Sequence, residues 1–214
     1  MFLDRTDAGK RLAEALSKYK REPVVVYALP RGGVVLGVEV ARALDAPLDL
    51  IVVRKIGHPL QAEYAIGAVA EDGFVVTNPD EVAALSKAWL DRATAAELKE
   101  AQRRRMLFLQ GRKSVVVSDK IAIIVDDGLA TGLTMRAAIH QIRQRSPRKV
   151  VVAVPVAAAE TVEKIRADVD DLVVLYIPRG WFGAIGAFYQ NFDQVSDDEV
   201  MTLINVRATA VAAE

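Results

Sequence analysis

The chain has 214 residues, 52% of them hydrophobic, and its 28 lysines and arginines balance its 28 aspartates and glutamates. This length and hydrophobic content suffice to bury one α/β core without a second domain. The balanced charge argues against a dedicated nucleic-acid or membrane-surface binder. The lack of cysteine excludes disulfides, zinc–thiolate sites and a cysteine nucleophile. We find neither a charged-then-apolar leader nor a bilayer-spanning apolar segment, so we expect a cytoplasmic protein.

The first third of the chain alternates helical and strand patterns. Apolar residues at helical spacing predict an amphipathic helix over 4–19. An apolar run predicts a strand over 24–29, which turns through Pro30-Arg31-Gly32-Gly33 into a helix over 34–44. These glycines lack the G-x-G-x-x-G spacing, and no G-x-x-x-x-G-K-[ST] pattern occurs, so a nicotinamide dehydrogenase or a P-loop protein loses support.

The next predicted strand, over 48–53, delivers Arg54 and Lys55 at its carboxyl end. Polyanionic ligands bind at that edge of open α/β sheets, so we favour a phosphate or pyrophosphate contact over two solvated charges. Residues 58–73 show no clear period and predict a loop, whereas 79–111 read as a helical insertion of one or two helices.

The most informative stretch reads IAIIVDDGLATGLTMRAA, over residues 121–138. Its apolar start predicts a strand buried on both faces of a parallel sheet, followed directly by a loop of small residues and a helix. The free N–H groups of the first helical turn point into such a loop. Glycines let a phosphate approach the backbone, and the threonines add hydroxyl donors. The loop therefore predicts a phosphate site.

Two adjacent carboxylates, Asp126 and Asp127, stand between this strand and its loop. They would repel a phosphate unless a cation or a hydroxyl-rich group lay between them. A ribose diol or a hydrated Mg²⁺ meets that condition, because carboxylates accept hydrogen bonds from hydroxyls and hard cations prefer oxygen ligands. The stretch thus predicts a ribose that carries a 5′-phosphate. An ordinary strand-to-helix turn is the structural alternative.

The last part of the chain completes the alternation of strands and helices. We predict a short strand over 113–117, strands over 149–154 and 172–177, and a helix over 160–167 between the latter two. This order, without internal repeats, indicates an α/β fold with a doubly wound, mainly parallel sheet. An aromatic-rich segment follows, over 179–206, and a capping box at Ser196 opens a final helix.

The sequence VDDGLATGLT resembles the signature of the type I phosphoribosyltransferases, in which two acidic residues after a strand precede a loop ending in T-G-x-T. LPRGG resembles the pyrophosphate loop of that family, and the resemblance covers 24–178 in order. It implies one domain over 1–214, with a core over about 24–178, a helical insertion over about 79–111 and a hood over about 179–206. It also implies a cis peptide bond between Pro30 and Arg31.

The resemblance assigns each part of the site a role. Asp126 and Asp127 would be catalytic, holding the ribose hydroxyls and, through water, Mg²⁺ as the cofactor. Trp181 and Phe182 would stack on the acceptor. The pyrophosphate group of phosphoribosyl pyrophosphate (PRPP) would contact Arg31, Gly32, Gly33, Arg54 and Lys55. The 5′-phosphate would contact Gly128, Leu129, Ala130, Thr131, Gly132, Leu133 and Thr134.

The implied reaction moves a 5-phosphoribosyl group from PRPP to a nitrogen acceptor and releases pyrophosphate. Many 6-oxopurine enzymes of the family have an aspartate where this chain has Ala130, so adenine, uracil or an unusual acceptor stays open. A PRPP- or nucleotide-binding regulator without turnover is the alternative from another class. We expect PRPP and a small nitrogenous acceptor as partners and neither membrane nor nucleic acid, with a homodimer left open.

Overall fold

Eight strands form two sheets in the computed structural model, which describes residues 1–180 and 182–211, without the side chains of residues 63 and 206–211. The strands are β1 (Val24–Ala28), β2 (Leu48–Leu50), β3 (Val53–His58), β4 (Gln61–Ala70), β5 (Val75–Thr77), β6 (Ile121–Val125), β7 (Lys149–Val156) and β8 (Asp171–Tyr176). The main sheet is parallel, in the order β2-β1-β6-β7-β8, and an antiparallel sheet has the order β3-β4-β5.

Helices cover both faces of the main sheet. They are α1 (Arg5–Ala15), α2 (Gly32–Leu44), α3 (Pro79–Val82), α4 (Lys87–Leu109), α5 (Leu133–Arg143), α6 (Ala159–Arg166) and α7 (Asp197–Val211). Leu12 of α1 and Leu36 of α2 pack on one face, while Met135 of α5 and Val162 of α6 pack on the other. Every residue of β1 and β6 is buried, as expected for strands covered on both faces. The predicted doubly wound α/β fold is confirmed.

The antiparallel sheet corrects two predictions. Residues 58–73, predicted as a loop, contain the turn of the β3–β4 hairpin and all of β4. The second half of β4, over 66–70, escapes recognition because it is buried on both faces and shows no alternation of polar and apolar residues, whereas Gln61, Ala62 and Tyr64 are exposed. Ala68 packs with Leu133 of α5 on one side, and Ile66 packs towards α4 on the other. The strand predicted over 48–53 is also wrong, since β2 ends at Leu50.

The helical insertion consists of two helices. Asn78 caps α3 by accepting a hydrogen bond from the backbone of Asp80, and α4 restarts after Ser86. Trp89 of α4 packs on the antiparallel sheet, whereas Phe108 near its end is buried in a core cluster with α2 and α7. The strand predicted over 113–117 is absent from the described structure, which has no regular element there.

The segment expected as a hood divides into two parts. Its first part holds a short 3₁₀ turn, Ile185–Phe188, next to the carboxyl edge of the main sheet. The second part leads into α7, whose predicted capping box is confirmed by mutual hydrogen bonds between Ser196 and Glu199. Buried Val200 and Ile204 pack α7 against α2 and α4, so this part belongs to the core. Within residues 1–180 and 182–211, no helix has the length and hydropathy needed to cross a bilayer.

A buried ion cluster ties the antiparallel sheet to the core. Glu71 follows β4, and its carboxylate lies 3.0 Å from Nη1 of Arg105 in α4. It also accepts hydrogen bonds from the side chain of Gln141 in α5 at 2.9 Å and from the amide of Val52 at 3.2 Å. Burial raises the pKa of Glu71, and the charge of Arg105 only partly offsets this effect.

Candidate active site

Asp126 and Asp127 lie at the carboxyl end of β6, at the centre of the main sheet. The amide of Asp127 donates to Oδ1 of Asp126 at 2.8 Å, which fixes one carboxylate over the backbone of the other residue. Burial raises the pKa of Asp126 well above its usual range, and the neighbouring charge of Asp127 raises it further. Burial also raises the pKa of Asp127, against the lowering effect of Arg5. Such a pair favours a partner that supplies hydroxyls or positive charge.

Arg5 already supplies positive charge to this pair, and the sequence analysis missed it. Its Nε donates to Oδ2 of Asp127 at 2.9 Å, and the two side chains are only 12% and 14% exposed. Its Nη1 donates to the carbonyl of Asp193 at 2.7 Å, and its guanidinium carbon lies 3.7 Å from the ring centroid of Phe192. No local pattern marks Arg5, because it stands 122 positions before Asp127.

The loop over 128–134 is held by the elements that follow it. The amide of Leu129 donates to Val156 of β7 at 2.9 Å, and the hydroxyl of Thr161 in α6 donates to the carbonyl of Ala130. Gly132 adopts φ +77° where α5 begins, a conformation that favours glycine. Thr131 is exposed beside it. The loop thus presents Thr131 to solvent on a fixed backbone, while Gly132 and Leu133 beside it are buried.

The Pro30-Arg31-Gly32-Gly33 turn lies directly against the two carboxylates. The peptide bond between Pro30 and Arg31 is cis, as the resemblance implied. A β-carbon added to Gly32 would lie 2.0 Å from Oδ2 of Asp127, and one added to Gly33 would lie 2.8 Å from the carbonyl oxygen of Val125. The two glycine-containing loops, distant in sequence, therefore form adjoining walls of one site.

Arg54 and Lys55 lie apart from those loops. Both belong to β3, and Nε of Arg54 donates to Glu97 of α4 at 2.8 Å. They line a separate cleft of about 450 Å³ together with Trp89. The expectation that they end a strand of the main sheet is wrong, because the chain leaves that sheet after Leu50.

Two clefts border Thr131. One, of about 360 Å³, lies between the loop, α6 and the antiparallel sheet, and its lining includes Arg136. The other, of about 490 Å³, is lined mainly by small and apolar residues and includes Ala130, Pro178 and Phe182. Phe182 is therefore close to the loop, with its ring centroid 5.2 Å from that of Phe188. Trp181, the other expected stacking residue, lies outside the described residues.

The donor set fits a magnesium ion that the substrate brings with it. Asp126 and Asp127 offer carboxylate oxygens, which Mg²⁺ prefers. Of these oxygens, Oδ2 of Asp127 is engaged by Arg5. In the described part of the chain, no group of three or more acidic, histidine or cysteine side chains is placed to enclose a metal. Mg²⁺ commonly binds through one or two carboxylates, several waters and substrate phosphates, and that mode suits this pair.

A parallel sheet with two glycine-containing loops and a carboxylate pair at its carboxyl edge is the arrangement expected of a type I phosphoribosyltransferase. Residues 3–192 match the profile of the phosphoribosyl transferase domain. The chain belongs to this family, whose enzymes are of the glycosyltransferase type.

Individual relatives agree with this assignment. Two proteins from Mycobacterium tuberculosis strains, provisionally named phosphoribosyl transferases, are 44% identical over 207 residues, which cover 96% of this chain. The chain spans only 46% of the length of these relatives. A crystal structure from Thermus thermophilus matches with a TM-score of 0.79 and 40% identity, over 97% of this chain and 99% of that one. A protein from Aquifex aeolicus shares the fold at a TM-score of 0.53 and 14% identity, over 81% of this chain and 74% of its own.

Proposed function

We propose that the protein transfers a 5-phosphoribosyl group from PRPP to a nitrogen of a small, nucleobase-like acceptor. The bond between the ribose carbon and pyrophosphate breaks, its electron pair leaves with pyrophosphate, and the acceptor nitrogen forms the new bond and loses its proton. The observation that carries this proposal is the contact between the turn at Gly32 and the carboxylate of Asp127. This contact supports a site in which the predicted pyrophosphate loop and the predicted ribose-phosphate loop hold the two ends of one substrate.

Each loop takes a different part of PRPP. The amides and hydroxyls over 128–134 bind the 5′-phosphate, and Asp126 and Asp127 accept hydrogen bonds from the ribose diol. Arg31 and the amides of the two following glycines hold the pyrophosphate. Arg31 is available for this because its contact to Asp197 is long, at 3.5 Å, and partly exposed. Arg54 and Lys55, predicted as a second pyrophosphate contact, line a separate cleft, so we assign the pyrophosphate to the turn at 31–33 alone.

The protein acts by positioning its substrates rather than by forming a covalent bond to them. Charge develops on the ribose carbon as pyrophosphate departs, so no side-chain nucleophile is needed. Mg²⁺, when bound with PRPP, neutralises charge on the departing group. The side chains hold both ends of PRPP so that the acceptor meets the ribose carbon in one orientation, and they exclude competing water.

The acceptor occupies the cleft between the phosphate loop and Phe182. The cleft has a volume of about 490 Å³ and mainly small lining residues, which suit a planar heterocycle. The ring of Phe182 provides a stacking surface. Ala130 in the lining of this cleft provides no carboxylate for a 6-oxopurine, and the carboxylate of Glu160 in the same lining belongs to α6 rather than to the loop. Adenine, uracil and unusual nitrogen heterocycles are therefore the acceptors to test first.

Release of pyrophosphate from PRPP and Mg²⁺ in the presence of each member of a panel of bases tests the proposal. We expect release with one acceptor class and its loss in Asp127→Asn, which keeps the size of the side chain but removes its charge. Binding of PRPP without release for any acceptor would favour a regulator on the same fold. Absence of PRPP binding, with Mg²⁺ present, would overturn the proposal.

A further inference from the structure

Arg5 is the feature of the site that neither the motif nor the proposed chemistry explains. Its guanidinium is held on three sides, by the carboxylate of Asp127, the carbonyl of Asp193 and the ring of Phe192. A β-carbon on Gly32 would lie 2.8 Å from its Nε. The cation therefore stands where the pyrophosphate turn, the carboxylate pair and the C-terminal segment meet.

Anchoring of helix α1 does not require this arrangement. Leu12 is fully buried and Ala13 nearly so, and both pack in the core on the same face as α2. The N-terminal end is held separately, because the amide of Phe2 donates to the carbonyl of Phe188 at 2.9 Å and its ring lies 5.4 Å from that of Tyr189. A guanidinium turned towards Asp127 and only 12% exposed thus calls for a role in the site itself.

The contact of Arg5 with Asp127 also makes the surroundings of the two carboxylates different. Oδ2 of Asp127 is engaged by Arg5, whereas Asp126 accepts only the amide of Asp127 among the described residues. Arg5 thus places a counter-charge beside Asp127 in the substrate-free site. A divalent ion that approaches the pair alone must compete with it for Asp127.

We propose that Arg5 is a positioning residue that serves as the resident counter-cation of the Asp126–Asp127 pair. It orients the carboxylate of Asp127 towards the ribose diol and keeps free divalent metal from binding both carboxylates before the substrate arrives. Asp126 and Asp127 would then hold a divalent ion only together with PRPP, whose oxygens would supply most of its ligands. The part of this inference that concerns PRPP rests on the proposed function, whereas the part that concerns free metal does not.

The helix offers a matched control. Arg11 lies on α1 as well, pairs with Asp7 at 2.9 Å, and stands over the ring of Phe2 at 5.5 Å from its centroid. Arg11 thus has an ion pair and a ring contact of its own, as Arg5 does, but it does not touch Asp126 or Asp127. Arg11→Gln therefore reports the general cost of removing an arginine from this helix, and Arg5→Lys restores a charge at the position itself.

The first measurement is a titration of the substrate-free protein with Mn²⁺ alone, followed by the electron paramagnetic resonance of the unbound ion. We expect Arg5→Gln to bind Mn²⁺ at least tenfold more tightly than the parent protein. Arg11→Gln should match the parent, and Arg5→Lys should lie nearer the parent than Arg5→Gln. Equal Mn²⁺ affinity in the parent and Arg5→Gln, with only a lower melting temperature in the variant, would show that Arg5 merely anchors α1 and would overturn the inference.

The second measurement is calorimetric titration with PRPP at several Mg²⁺ concentrations. Arg5→Gln should lose at least tenfold in PRPP affinity, with partial recovery in Arg5→Lys and no change in Arg11→Gln. Unchanged PRPP affinity in Arg5→Gln would overturn the positioning role. If the parent protein fails to bind PRPP while the Mn²⁺ results stand, the proposed function fails and the role of Arg5 as counter-cation is supported.

Discussion

A β-carbon at position 32 would lie 2.0 Å from Oδ2 of Asp127, so Gly32 and Asp127 share a space that admits no further side-chain atom. Real β-carbons do not approach oxygen so closely, so a side chain at position 32 would displace this carboxylate from its contact with Arg5 at 2.9 Å. Position 32 therefore requires glycine because Asp127 of the neighbouring loop leaves no room for a β-carbon, and not because of the backbone conformation of Gly32. This contact links the two halves of the proposed PRPP site.

Gly32→Ala should lower PRPP affinity at least tenfold while it changes the melting temperature little. The atom displaced is the end of a side chain, so the fold can adjust but the carboxylate loses its position. Gly33→Ala is the matched comparison, because its β-carbon would meet the backbone carbonyl of Val125 at 2.8 Å. That variant should lose thermal stability as well. Calorimetry with PRPP and thermal denaturation measure both effects, and parental affinity in Gly32→Ala would contradict the expectation.

Thr131→Ala should weaken PRPP binding by roughly ten- to hundredfold, since a hydrogen bond to a charged group is typically worth about 1.5–3 kcal/mol. Thr131 is exposed, so the unliganded protein should melt at an unchanged temperature. Thr161→Val provides the contrast, because the hydroxyl of Thr161 is buried and donates to the carbonyl of Ala130. It should cost about 1–3 kcal/mol of stability by leaving that carbonyl without its donor. Unaltered PRPP affinity in Thr131→Ala would argue against the 5′-phosphate site.

Phe182→Leu should raise the KM for the acceptor about two- to tenfold, because aromatic contacts are worth about 0.5–1.5 kcal/mol beyond the area they bury. PRPP binding should not change, since Phe182 lies on the acceptor side of Thr131. Phe182→Tyr retains the ring and should behave as the parent does. Steady-state kinetics with the acceptor found by the panel provides the measurement. Equal KM values in the parent and Phe182→Leu would remove Phe182 from the acceptor site.

The buried carboxylate of Glu71 should make stability fall as pH rises above about 4.5, its usual pKa. Its folded pKa is raised by burial, so over this window the folded state keeps a proton that the unfolded state has released. Glu71→Gln removes this decline, and its melting temperature should improve relative to the parent as pH increases from about 4.5.

Glu100 should change stability with pH in the opposite direction to Glu71. The hydrogen bond from Arg103 lowers the pKa of Glu100 to about 2, so its contribution to stability is present above pH 4.5 and is lost as pH falls towards 2. Glu100→Gln should therefore differ most from the parent at neutral pH. Thermal denaturation of both variants from acid to neutral pH tests these signs, and parallel profiles for the two variants would contradict them.

The sequence predicted the phosphate loop and its strand because their signals are local. The strand at 121–125 is a continuous apolar run, and the composition of 126–134 reports a turn that must approach an anion. The same holds for the turn at Gly32 and for the capping box at Ser196, both of which lie where the sequence places them. Alternation of such units was sufficient to predict the doubly wound α/β fold.

The antiparallel sheet and the position of Arg54 depended on packing that no local pattern records. The buried half of β4, over 66–70, is covered by α5 on one side and α4 on the other, which removes the alternation that identifies a strand. Arg54 follows an apolar run that predicts one strand, yet that run divides between two sheets. Its cation therefore meets Glu97 of the insertion rather than the phosphate loops.

By itself, the sequence predicted the family, the doubly wound main sheet and the two glycine-containing loops at its carboxyl edge, since each rests on residues near one another in the chain. Only the tertiary structure decided which cation meets Asp127, because Arg5 lies 122 positions away and reaches it through the packing of α1 on the main sheet. Side chains so distant in sequence become neighbours through burial of apolar surface, which fixes where whole elements lie and leaves no short motif that marks Arg5.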